Sequence, residues 1–107
     1  MGTLTKQQLA EGIMMNTLAD LLEAKEEGRD TNQLAYFAAL FSYALHEAFS
    51  AGGDWYTLRD RVVAGCQQFE ADDALPMACF RLVSPSDGAS SEEYANSTMQ
   101  SVIDGQI

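Results

Sequence analysis

The sequence predicts an all-α fold: a compact bundle of three main helices plus a shorter C-terminal helix, in a single small acidic domain over 1–107. Three observations carry this expectation. Apolar residues recur at intervals of three and four over long stretches. Residues that start and stop helices bracket those stretches. The one short apolar run without a clear period, 77–83, would be a strand lacking a partner in its own chain. With 47% hydrophobic residues in 107, the chain can bury a core despite its acidity.

The first helix should open at Thr5-Lys6-Gln7-Gln8, a capping-box pattern in which the Thr hydroxyl takes the third helical amide and Gln8 reaches back to the cap. Ala10, Met14, Thr17, Leu18 and Leu21 form its apolar stripe, widened by Leu9, Ile13, Met15 and Leu22. Gly28 can take the positive φ that ends a helix, and Asp30 or Thr31 can cap the next one, so helices one and two should form a tight antiparallel hairpin. The second helix, about Thr31 to Ala51, is apolar nearly all round. That pattern suits either the buried centre of a bundle or part of an interface between chains.

Gly52-Gly53 stops helix two and Asp54 caps helix three, whose stripe is Trp55, Leu58, Val62, Cys66 and Phe69. Pro76 disfavours a helical conformation at the residue before it, which places a boundary near Leu75. The run 77–83 then reads as either a short helix or an extended packing segment. Ser84-Pro85-Ser86-Asp87-Gly88 is a turn. Ser90 and Glu93, at capping-box spacing, open the fourth helix, whose thin stripe is Tyr94, Ala95, Thr98, Met99 and Val102.

Charge narrows the function classes. Sixteen Asp and Glu against six Lys and Arg leave a net charge of −10, spread along the whole chain, and this excludes a basic surface that tracks a phosphate backbone. The start lacks a cationic segment followed by an apolar run, and no lipid-anchor motif is readable, so a cytoplasmic location is expected. The longest uncharged stretch, Thr31 to Leu45, is short of the ~20 residues of a membrane span. Cys66 and Cys79 form no CxxC pair and read as reduced, buried thiols. The sequon Asn96-Ser97-Thr98 falls on a predicted helix and would matter only in a secreted protein.

Catalytic chemistry has little to stand on. The single histidine, His46, sits in the densest apolar stretch, where a structural role outweighs pairing with Cys66 or Cys79. One His and two separated Cys have no zinc spacing, Asp72-Asp73 opens no calcium loop, and no glycine-rich phosphate cradle occurs. No catalytic residue, metal or cofactor is therefore expected, and the chain reads as a non-enzyme.

The carboxylates suggest a binding surface instead. Asp20, Glu23 and Glu27 recur at three and four opposite the apolar stripe of helix one, Glu26 and Asp30 extend that end, and Glu70, Asp72 and Asp73 make a second cluster. Three charges over seven helical residues span ~10 Å, of the order of phosphate spacing along a DNA strand, so a nucleic-acid mimic fits. Acidic helix faces also simply keep small proteins dispersed. In type, though in no motif, the chain is similar to the small inhibitors that phages and mobile elements use against host defence or nucleic-acid enzymes, and to toxin-neutralising immunity proteins. The expectation is a non-enzymatic protein-binding module, an acidic inhibitor or adaptor. Its partner would be a protein, a basic nucleic-acid-binding one if mimicry holds, with no direct contact to nucleic acid or membrane. The rival reading is a structural homo-oligomer assembled through Tyr36, Phe37, Phe41 and Tyr43 of helix two.

Overall fold

A computed structural model describes residues 2–84 and 88–107. Five helices follow one another: α1 (Lys6–Glu26), α2 (Thr31–Ser50), α3 (Trp55–Gln68), α4 (Ala74–Leu82) and α5 (Ser91–Ile103). The described residues contain no strand. Pro85, Ser86 and Asp87 of the expected turn lie outside the described residues.

Local chemistry sets most boundaries. The Thr5 hydroxyl accepts the Gln8 N–H and the Gln8 side chain accepts the Thr5 N–H, both at 3.0 Å, so the capping box closes as the sequence predicts. Gly28, at φ +71°, turns the chain out of α1, and Asp30 accepts the Gln33 N–H at 2.9 Å to open α2. Asp54 opens α3 in the same way through the Thr57 N–H, and Ser90 opens α5 through the Glu93 N–H.

Helix α4 begins at Ala74, next to the boundary expected near Leu75, and it corrects the extended alternative at 77–83. Asp73 is its N-cap and Pro76 its third residue, in the first turn, where no intrahelical bond needs the missing N–H. Only Val83, the C-cap, is extended. Of the two readings of 77–83, the short helix is therefore the one that holds.

Helix α2 is the buried centre. Phe41, Leu45, Ala38 and Ala48 are sealed among Met14, Leu18 and Leu21 of α1, Leu58 and Val62 of α3 and Phe80 of α4. Its other flank takes α5, where Thr98 donates to Ser42 at 2.7 Å and Ser91 meets His46 and Glu47, so the two helices run antiparallel. Covered on those flanks, α2 leaves to solvent a stripe of Tyr36, Leu40, Tyr43 and Glu47, which explains why a helix with so few polar residues is tolerated. Helix α3 lies close on α1 at Gly65, where an added Cβ would come within 2.8 Å of Leu18 Cδ2 and 3.0 Å of Met15 Cε.

Two apolar stripes end differently from expectation. Trp55 and Phe69, at the ends of the α3 stripe, are part-exposed, Trp55 with one side of its ring packed 5.4 Å from Phe80 and Phe69 as the C-cap beyond the helix. Leu9 and Ile13 of α1 are about half exposed, since α2 and α3 cover only the sides bearing Met14, Leu18, Leu21 and Leu22. Among the described residues, no helix is long and apolar enough to cross a membrane.

Candidate functional site

The α1–α2 hairpin runs antiparallel, so the surfaces at its two ends are built from different halves of the same helices. At its loop end, the C-terminus of α1 meets the α3–α4 junction around an open depression of about 390 Å³. Leu22, Phe69 and Ala71 line it with apolar surface, while Glu26, Glu70 and Asp72 supply three carboxylates against the single cation Lys25. One carboxylate of the first acidic cluster and two of the second, more than forty positions apart in sequence, thus share one basin.

Each expected carboxylate has a definite place. Glu26, Glu70 and Asp72 line the basin, and none has an ion-pair partner within 4.0 Å among the described residues. Asp72 also accepts the Ala74 N–H at 2.9 Å, and Asp73, the N-cap of α4, makes no side-chain capping bond. Asp20 and Glu23 stand exposed on the outer face of α1. Glu27 and Asp30 are partly engaged: Glu27 pairs with Arg29 at 2.9 Å and Asp30 caps α2.

Two further observations mark the basin. Glu70 is left-handed at φ 52°, where the helices α1, α2 and α5 are followed by Gly28, Gly52 and Gly105 at positive φ. A side chain is thus held where glycine is the easy choice, because the Ala71 N–H closes α3 by bonding Cys66 C=O at 2.9 Å. The acidic field also reaches inward. Burial pushes the Cys66 thiol up from its usual range, Asp73 and Asp72 push it further, and Lys25 opposes them.

At the other end of the hairpin lies an apolar groove of about 380 Å³, lined by Leu9, Ala10 and Ile13 of α1 and Tyr43, Ala44 and Glu47 of α2, with Lys6 at its mouth. Of the four aromatics expected at an interface between chains, Tyr36 and Tyr43 are exposed and Phe37 is half-buried. Phe41, at 0% exposure, is core and cannot meet another chain without unfolding its own, since it points between α1 and the body of the bundle.

No family model, curated protein or solved structure matches this chain. Its chemistry must be read from its own residues.

One constellation is invisible in the sequence. His46 Nδ1 lies 2.7 Å from Ser91 Oγ, and Ser91 Oγ donates to Glu47 Oε2 at 2.9 Å. A hydroxyl has one proton; with that proton directed at the carboxylate, Nδ1 must be the donor to Ser91. The serine therefore stands between imidazole and carboxylate, whereas an activated serine needs the imidazole in the middle to take its proton. The Tyr94 ring packs 4.9 Å from His46, and the Tyr94 hydroxyl donates to Ser84 C=O. The cluster acts as a polar clamp from α2 onto the start of α5. His46 was expected to be structural, and its partner here is a side chain 45 positions away.

Both cysteines are free and buried. Burial pushes the Cys79 thiol up to about 12, with a hydrogen bond to Ser42 opposing the shift. Both shifts disfavour the thiolate, the form that acts as nucleophile or metal ligand. Among the described residues, no cluster of three His, Cys, Asp or Glu side chains could hold a metal ion.

Proposed function

We propose that this protein is a non-enzymatic binding module, an acidic inhibitor or adaptor that engages a basic protein partner through the basin end of the bundle. The observation that carries the reading is the convergence of Glu26, Glu70 and Asp72 on one depression with Lys25 as its single cation. Carboxylates arranged so are repelled by one another in the free protein, and an incoming cationic surface relieves that repulsion as it binds. Leu22 and Phe69 add apolar surface, so the basin can bind through burial as well as charge.

A nucleic-acid-binding protein is the class of partner whose surface has the complementary sign, and competition with nucleic acid is the mode of inhibition the charge suits. Glu23, exposed on α1 next to the basin end, lengthens the acidic track. The non-catalytic part of the reading is supported by the miswired Ser91 and by the two suppressed thiols. The resemblance in type to phage and mobile-element inhibitors rests on this same charge and size.

The test is capture from a bacterial lysate by the tagged protein, with the bound proteins identified at low and high salt. The expected result is a basic protein released by salt and by added duplex DNA, and lost when Glu26, Glu70 and Asp72 are all changed to Lys. Capture that survives this triple change in a folded protein overturns the reading.

A further inference from the structure

The groove end carries a different proposal, independent of the acidic basin. Leu9 and Ile13 are 54% and 48% exposed on α1, and Tyr43 of α2, also exposed, lines the same groove. Patches of this kind, once they reach several hundred Å², on a small protein mark interaction surfaces.

The occupant is argued from charge and register. Lys6, Ile13 and Asp20 are seven residues apart, two turns each, and therefore share one face of α1 within about 20° per step. All three are exposed, and neither Lys6 nor Asp20 has an ion-pair partner within 4.0 Å in its own chain among the described residues. The stripe is thus cationic at one end, apolar at its centre and anionic at the other, which makes it complementary to itself when reversed. We infer that this face pairs with a second copy of the chain, α1 antiparallel to α1 of the partner about a two-fold axis at Ile13, with each Lys6 opposite the other copy's Asp20.

Net charge selects the antiparallel arrangement. With −10 on each copy, association is resisted overall, and the resistance is greatest where the basin ends come together. Reversal about Ile13 sends the two basins to opposite ends of the dimer, whereas a side-by-side parallel pairing would juxtapose them. Ile13 and Tyr43 line the groove together, so a copy seated on Ile13 also lies beside Tyr43 of α2.

The experiment is sedimentation equilibrium of the full chain over a concentration series, with charge reversals. The expected result is a reversible dimer, weakened at least tenfold by Ile13→Asp with the thermal midpoint of the dissociated chain unchanged. Asp20→Lys should weaken it about tenfold although it lowers the net charge, where general repulsion alone would make it tighter. Lys6→Glu should weaken it likewise, and Lys6→Glu with Asp20→Lys together should restore it. A monomer at every concentration overturns the inference, as does a dimer that Asp20→Lys tightens or that the double reversal fails to restore. Glu26→Lys with Glu70→Lys should leave a dimer, which keeps this outcome separate from that of the basin.

Discussion

The two ends of the α1–α2 hairpin carry depressions of nearly equal size, about 380 and 390 Å³, and opposite chemistry. The groove end exposes Leu9, Ile13 and Tyr43, with one Lys and one Glu at its edge. The basin end exposes three carboxylates around one Lys beside apolar surface. Shape therefore does not distinguish the two, and the forces at each do. Burial at the groove is non-directional and survives salt, while attraction at the basin acts through charge and weakens once the Debye length falls to about 10 Å or less.

The most severe test of the groove as surface compares Phe41 with Tyr43, two positions apart on α2. Phe41→Asp should abolish cooperative unfolding, since it removes a fully buried ring and leaves an unpaired buried carboxylate, together costing more than about 4 kcal/mol. Tyr43→Asp, at a residue 39% exposed, should cost less than about 1 kcal/mol. Thermal melts of the two variants settle this, and equal destabilisation would mean that the groove is core.

The next effect comes from the interior that both ends share. The Cys79 thiol ionises at about 12 in the fold and near 9.0 unfolded, so the fold favours the neutral form. Its contribution is fully present below pH 9.0 and is lost as pH rises toward about 12. By linkage the loss is about 1.4 kcal/mol per pH unit within that window. Denaturant midpoints across that range should fall accordingly, and Cys79→Ala should flatten most of the slope.

At the basin, Glu70→Gly should stabilise the protein by about 0.5–1 kcal/mol, because a residue with a Cβ is replaced at φ 52° by the one residue at ease there. A denaturation curve shifted the other way would show that the Glu70 side chain contributes more to the fold than its backbone costs. The smallest effect is electrostatic. Glu26→Gln with Glu70→Gln should raise the melting midpoint by a few degrees at low salt, corresponding to less than about 1 kcal/mol, and the gain should vanish at high salt. A matched substitution at the groove, Ile13→Ser, should show no such salt dependence.

Much of the fold was legible residue by residue. Thr5 with Gln8, Asp30, Asp54 and Ser90 all cap where the sequence places caps, because a cap is a bond between groups three positions apart. Pro76 marked a boundary for the same local reason, since α4 opens two positions before it; Leu75 is nonetheless helical, because the constraint on the residue before proline is weak and yields once Phe80 and Cys79 are drawn into the core. The acidic residues of the candidate site were legible as two clusters. Their union was not, since no periodicity links Glu26 to Glu70.

The sequence by itself determined that the chain is helical, where four of its five helices begin, and that it carries far more carboxylates than cations. These properties depend on composition and on contacts within one or two turns. Tertiary structure alone decided which side of each apolar stripe was covered. Met14 and Phe41 became core while Ile13 and Tyr43, one and two positions away, became surface. It also decided that Ser91 meets His46 across 45 positions and that the α1 and α3–α4 carboxylates face one basin. The physical reason is that a helix offers the same stripe to any neighbour, and only the packing of α2 between α1 and α5, with α3 and α4 closing the core, chooses among them.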